Sequence, residues 1–304
     1  MTAVSVKNII KTYGKKKDTV TALQDISFDV EQGELFGIIG PDGAGKTSLF
    51  RILTTLLLAD SGSAVVDGFD VVKDFKEIRK RVGYMPGKFS LYQDLTVHEN
   101  LDFFATIFNT SIQENYELIK DIYQQIEPFK DRPAGKLSGG MKQKLALSCA
   151  LIHRPSVLFL DEPTTGVDAV SRKEFWEMLK RLKEQGITIL VSTPYMDEAS
   201  LCDRVVLMQT GEILSIDTPE GIVNNFGKQL WAVRSSNMLH LLNDIKQMEA
   251  VDNAYPSGTY HHVVLKNGYD EKLLQQLNTN NKELEIKQIQ PNIEDCFMQL
   301  MRSE

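Results

Sequence analysis

The sequence predicts an α/β fold in which buried parallel strands form the core and a smaller α+β unit follows. Three observations point there. Leu35-Phe36-Gly37-Ile38-Ile39 is a short apolar run suited to a buried strand. It leads into the glycine-rich segment Gly40 to Gly45, after which Lys46 to Leu58 reads as a helix. Val157-Leu158-Phe159-Leu160 is a second unbroken apolar run, ending in Asp161-Glu162-Pro163, as expected of a strand buried on both faces that delivers acids at its C-terminal edge. Beyond Gly227 the pattern changes to short strands and helices in the order β-α-β-β-α-β. A length of 304 residues has room for both parts.

The first element carries the strongest chemical signal. Gly40-Pro41-Asp42-Gly43-Ala44-Gly45-Lys46-Thr47 has the G-x-x-x-x-G-K-[ST] spacing, whose glycines let successive backbone N–H groups close around a phosphate chain. With Ser48 these residues form a candidate nucleoside triphosphate site, the phosphates lying at a helix N-terminus. Asp161 is then expected to hold Mg²⁺ together with the Thr47 hydroxyl. Glu162 is expected to polarise the attacking water and Lys46 to supply positive charge, because phosphoryl transfer needs positioning and charge neutralisation more than covalent chemistry. The plainer alternative for Asp161 and Glu162 is a pair of surface acids ending a strand.

Between these motifs lies Leu137-Ser138-Gly139-Gly140-Met141-Lys142-Gln143-Lys144-Leu145, followed by an apolar-rich helical run to Ile152. A Ser-Gly-Gly turn opening a helix offers a hydroxyl, bare amides and the positive helix end, which together suit an anion. Phosphate loop, Leu-Ser-Gly-Gly and Asp-Glu-Pro, in this order, resemble the nucleotide-binding subunit of the ATP-binding-cassette (ABC) transporters, over about residues 3 to 225. That resemblance implies a P-loop NTPase core with an antiparallel β subdomain and a helical subdomain at about 88–153. It also implies an ATPase that uses ATP and Mg²⁺, and head-to-tail pairing with a second cassette, homo- or heteromeric. In that pair ATP lies between the phosphate loop of one copy and Ser138, Gly139 and Gly140 of the other. Tyr13, in Lys11-Thr12-Tyr13-Gly14, matches the family's aromatic that stacks on adenine, where the plainer reading is a core tyrosine. Gly166-Val167-Asp168 matches the segment that crosses the dimer interface, and Thr96-Val97-His98-Glu99-Asn100-Leu101 resembles the start of the helical subdomain.

Three positions depart from the family's pattern. Gly87 stands where a glutamine usually reaches Mg²⁺ and water, and Pro194 replaces the histidine that contacts the γ-phosphate, supplying neither ring nitrogen nor N–H. Asp42 stands where asparagine is common. Lys46, Thr47, Asp161 and Glu162 retain the electrostatic core, so an active ATPase is expected. The alternatives are a hydrolysis-impaired or regulatory cassette of a heterodimer, or a soluble ABC ATPase outside transport. The interval from Lys46 to Asp161 leaves no room for the long coiled coil of some soluble members.

The domain boundary is expected at 226/227, giving an ATPase domain at 1–226 and an accessory α+β, ferredoxin-like domain at 227–304. Pro291-Asn292-Ile293-Glu294-Asp295-Cys296-Phe297 resembles the closing segment of cassettes from two-component exporters, which implies export through a separate integral membrane subunit. A net charge of −7 argues against nucleic acid as a partner. No apolar stretch approaches the ~18 residues that cross a bilayer and no leader is evident, so a cytoplasmic protein held at the membrane by its partner is expected. Cys149, Cys202 and Cys296 lack metal-ligand spacing and read as core residues, and His261-His262 reads as alternating across a strand.

Overall fold

Near-alternating burial in the first thirty residues lays down two long strands, β1 (Thr2–Tyr13) and β2 (Val20–Glu31), with Val4, Val6, Ile26, Phe28 and Val30 turned inward. The computed structural model describes residues 1–14, 19–266, 268–269, 271–279 and 281–301. In it, β1 pairs antiparallel with β2 on one side and with β4 (Ser61–Val66) on the other, and β5 (Phe69–Asp70) closes the edge in the order β2-β1-β4-β5. This is the antiparallel β subdomain.

The second sheet is ordered β10-β9-β3-β8-β7-β6 and comprises β3 (Leu35–Ile39), β6 (Val82–Met85), β7 (Val157–Asp161), β8 (Thr188–Thr193), β9 (Arg204–Gln209) and β10 (Glu212–Asp217). All its pairings are parallel except β9 with β10. Every residue of β3, β7 and β8 is buried, which explains the apolar runs of β3 and β7 and the Ile189-Leu190-Val191 centre of β8. Ile39 is level with Thr193 and Asp161 with Ser192, so the C-terminal ends of the three central strands open at one edge. Aromatic contacts join the layers: Phe28 stacks on Phe36 at 5.3 Å, and Phe50 meets Phe159 edge-on at 5.7 Å.

Phe50 belongs to α1 (Lys46–Leu53), which is shorter than the helix expected to reach Leu58. Thr54 bonds back to the Phe50 carbonyl at 2.7 Å, Thr55 adopts φ 64°, and the Leu56 amide closes onto the Arg51 carbonyl at 2.7 Å. Leu56 and Leu58 consequently point to solvent. After α2 (Phe75–Arg81), the helical region contains α3 (Val97–Ile107), opened by a Thr96–Glu99 capping box, then α4 (Tyr116–Tyr123) and α5 (Gly139–Leu151), which packs against both. The next helix, α6 (Ala169–Glu184), packs on β3 and β8.

The chain divides into units Met1–Pro219 and Glu220–Glu304, earlier than the expected 226/227, because α7 (Pro219–Asn224) falls almost wholly in the second unit. That unit runs β11 (Leu230–Arg234), α8 (Met238–Gln247), β12 (Val251–Ser257), β13 (Tyr260–Leu265), α9 (Glu271–Gln275), β14 (Glu285–Ile289) and α10 (Ile293–Leu300). Its antiparallel sheet has the order β12-β13-β11-β14, the ferredoxin-like arrangement read from the sequence. Trp231, Val233 and Val263 pack with Leu241 and Ile245 of α8. Asp295 caps α10 with Asn292 and accepts from Tyr255 Oη at 2.8 Å and from the His262 ring at 2.6 Å.

Burial opposes ionisation of Asp295, yet His262, the Asn292 amide and Tyr255 hold its carboxyl below the ordinary value. Replacing Asp295 with Ala is expected to destabilise this unit by about 2–4 kcal/mol, as loss of a cap and of charged hydrogen bonds. Denaturant unfolding followed by Trp231 fluorescence in a Trp176→Phe background measures this. A depressed folded pKa contributes stability above the unfolded carboxylate value that is lost as pH falls through the folded one, so the difference between the parent chain and Asp295→Ala should shrink below about pH 4.

Candidate functional site

The strand β3 ends at Ile39, and the Gly40 amide donates to the Thr193 carbonyl of β8 at 3.2 Å. A Cβ at Gly40 would lie 2.3 Å from the Met208 carbonyl oxygen, so the loop can leave the sheet here only as glycine. Gly45, at φ 100°, approaches Ala22 equally closely and precedes α1 without a side-chain cap, leaving first-turn amides to bind an anion. Over the loop lies a cavity of about 260 Å³ lined by Ala22, residues 42 to 48 and Glu162.

Lys46 is 3% exposed. Its ammonium donates to the carbonyls of Gly40 at 2.8 Å and Pro41 at 3.0 Å and pairs with Glu162 Oε1 at 3.1 Å, which offsets the cost of burying the charge. Asp161, 2% exposed, accepts from Thr47 Oγ1 at 3.2 Å and Ser192 Oγ at 2.7 Å. The Ser192 oxygen in turn accepts the Glu162 amide at 3.0 Å. Glu162 has φ 51°, a left-handed conformation that costs a non-glycine residue about 1–2 kcal/mol. The turn brings its carboxylate to Lys46. Burial and then the Asp161 charge push the Tyr84 phenol up to about 12.

Tyr13 Oη lies 3.1 Å from Ser48 Oγ, which sets its ring beside the first turn of α1; 41% of the residue is exposed, and Lys11 Nζ stands 5.8 Å over the ring. Tyr13, the loop, Asp161 and Glu162 thus meet in one place. Ser138, Gly139 and Gly140 do not line this cavity. Ser138 caps α5 through the Met141 amide at 3.3 Å, and the turn lies beside Gly166 and Ser171, with Ser138 and Gly139 exposed. Gly87 sits against the acids: a Cβ there would be 3.0 Å from the Asp161 carbonyl oxygen and 3.7 Å from Glu162 Cβ. Pro194 directly follows Thr193, which holds the loop. Ser192 carries no motif of its own, and its one sequence signal is a hydroxyl directly after the apolar Ile189-Leu190-Val191 of β8.

His261, His262 and the three cysteines are buried in the structure. His261 reaches the Met238 carbonyl at 2.7 Å and His262 turns to Asp295, so adjacent residues do alternate across β13. Cys149, Cys202 and Cys296 are buried, and burial pushes the Cys296 thiol up to about 11.

A glycine loop at a helix N-terminus, with an aspartate ending a parallel strand one removed from the loop's own and an out-turned glutamate directly after it, defines a phosphate-loop nucleotide-binding protein. The profile of the family described as ABC transporter matches residues 23–165. The chain is 38% identical over 284 residues to the "Probable multidrug ABC transporter ATP-binding protein YbhF" of Escherichia coli (strain K12), covering 92% of this chain and 49% of that one. It is 30% identical over 313 residues to the "Linearmycin resistance ATP-binding protein LnrL" of Bacillus subtilis (strain 168), covering 98% and 97%. The fold resembles the dimeric post-hydrolysis state of the ATP-binding cassette MJ0796 bound to ADP and Pi, with a TM-score of 0.64 and 26% identity over 71% of this chain and 98% of that one. The chain belongs to the ABC transporter family, among its ATP-binding proteins. It spans about half the length of YbhF.

Lys46→Ala is expected to weaken ATP binding by about 100-fold or more, since it removes a charged donor from a buried phosphate site. Titration calorimetry with MgATP measures the loss, and undiminished binding overturns the loop assignment.

Proposed function

We propose that the chain is the ATP-binding and hydrolysing subunit of an ABC exporter, working in a head-to-tail pair of cassettes beneath a separate integral membrane subunit. The observation that carries this reading is the convergence of Lys46, Thr47, Asp161 and Glu162 at the end of β3 and β7. Residues Gly40 to Ser48 wrap the phosphates with backbone amides, and Lys46 balances the charge of the terminal phosphates. Tyr13, part-exposed beside Ser48, is the aromatic that stacks on adenine. The Thr47 hydroxyl and the Asp161 carboxylate are hard oxygen donors 3.2 Å apart that would hold Mg²⁺, and the ion would supply neutralisation of phosphate charge.

Glu162 orients a water for in-line attack on the γ-phosphorus and accepts its proton as the bond to the bridging β–γ oxygen breaks, giving ADP and phosphate. Neither Gly87 nor Pro194 brings a side-chain donor to this step, so Lys46 and Glu162 carry the demand that other cassettes share with Gln and His. The exposed Ser138-Gly139-Gly140 turn, with Asp168 nearby, suits the nucleotide of a second cassette, and ATP then holds the two together. Closing and parting of the pair drive the membrane subunit. Among the described residues no helix is long and apolar enough to cross a membrane; in this reading the chain is held at the cytoplasmic face by that partner. Export of a drug-like or lipid-like substrate is supported by the multidrug and linearmycin-resistance names of YbhF and LnrL.

Steady-state hydrolysis of MgATP, measured at several protein concentrations beside Glu162→Gln, tests the reading. Turnover that rises with concentration and falls about 10²–10³-fold in the variant, with ATP binding retained, is expected. Intact binding with no turnover in either chain overturns autonomous hydrolysis.

A further inference from the structure

Glu198 is an ionisable residue that no step above uses, and it is 2% exposed. Its Oε2 accepts from two hydroxyls: Thr164 Oγ1 at 3.0 Å and Thr193 Oγ1 at 2.5 Å. Its Oε1 has no hydrogen-bond partner, and Arg172 Nε stands 3.8 Å away. Burying a carboxylate is costly, and this one is arranged as a shared acceptor between two segments.

Both segments touch the candidate active site. Thr164 lies two residues beyond Glu162, in a turn closed by the Thr165 amide on the Glu162 carbonyl at 3.2 Å. Thr193 ends β8, and its carbonyl receives the Gly40 amide at the mouth of the phosphate loop. The Thr193 hydroxyl oxygen also accepts the Tyr195 amide at 3.1 Å, which fixes the chain around Pro194. A third strand of contacts runs from Arg172, which lies 4.8 Å over the Tyr195 ring and one turn into the helix capped by Asp168.

We infer that Glu198 is a positioning residue: through Thr164 and Thr193 its carboxylate ties the turn after Glu162 to the strand end that holds the phosphate loop, and so keeps Glu162 aimed for attack. The inference rests on the ATPase reading above. It also accounts for how a chain with Pro194 in place of a side-chain donor keeps that region in register: the tie is made one residue earlier, by Thr193, and below the site rather than at the phosphate. Glu162 sits in a left-handed conformation that neighbours must enforce, and Thr164 is the near anchor of that turn.

Thr164→Val is the sharpest test, because it keeps shape and removes only the hydroxyl. The full chain with MgATP is expected to lose about tenfold to hundredfold in kcat, the rate equivalent of one hydrogen bond to a charged acceptor, with KM and the ATP dissociation constant within about twofold of wild type. Thr164→Ser, which restores the donor, should return kcat to within about threefold. Glu198→Gln, which keeps an acceptor for both hydroxyls, should also stay far closer to wild type than Glu198→Leu. Unchanged kcat in Thr164→Val, or parallel loss of kcat and ATP binding that Ser does not rescue, overturns the positioning role while leaving the ATPase reading intact. Wild-type turnover that is absent, or indifferent to Glu162→Gln, overturns both.

Discussion

The Ser192 hydroxyl donates to Asp161 Oδ1 at 2.7 Å while its oxygen accepts the Glu162 amide at 3.0 Å, and these two contacts give adjacent acids different environments. Asp161 completes β7 and stays inside, held by Ser192 and Thr47. At Glu162 the chain turns left-handed, and the side chain emerges with 23% exposure to meet Lys46. A strand continuing regularly would have sent the second acid to the opposite face of the sheet. The Glu162 amide is shared between the Ser192 carbonyl at 3.1 Å and the Ser192 hydroxyl at 3.0 Å, so the turn is anchored to β8 at the residue where the backbone leaves the strand.

That arrangement depends on three strand ends lying level. The parallel pairing of β3, β8 and β7 aligns Ile39 with Thr193 and Asp161 with Ser192, so a loop, a hydroxyl pair and two acids share one edge. Complete burial of these strands makes register expensive to change, because a one-residue slip would carry Asp161 along the core. Phe50 against Phe159 locks α1 onto β7, tying the helix that presents Thr47 to the strand that presents Asp161.

What the sequence made legible was whatever has a local pattern. The strands at Leu35–Ile39 and Val157–Asp161, the helix after Ser138 and the order of the second unit follow from short apolar runs and turn residues. The end of α1 did not, since Leu56-Leu57-Leu58 continues an apolar pattern while Thr54 and Thr55 divert the backbone. Ser192 and Glu198 were invisible as site residues for a different reason. Their partners Asp161 and Thr164 lie 31 and 34 positions away, and a hydroxyl or a carboxylate in isolation says nothing about which distant group it will meet. Tyr13 likewise gained its place from a resemblance, and its contact with Ser48 crosses 35 positions.

Three helix starts show how a single residue assigns a helix end to structure or to a ligand. At α6 the Asp168 carboxylate accepts the amides of Val170 and Ser171 at 3.1 and 3.0 Å, so the chain satisfies its own donors. At α5 the Ser138 hydroxyl takes the Met141 amide more loosely, at 3.3 Å, and the bare backbone of Gly139 stays exposed beside it. At α1 the capping position is Gly45, which has no side chain to give, and the residue beyond it is a lysine rather than an acid. The positive end of α1 therefore faces the cavity with no carboxylate capping it, beside the Lys46 ammonium, whose counter-charge is Glu162 across the cavity. A carboxylate at position 45 would close this end as Asp168 closes α6, but the φ of 100° and the approach of the Ala22 carbonyl leave no room for one. Steric exclusion of a cap and electrostatic demand for an anion are thus the same fact about one glycine.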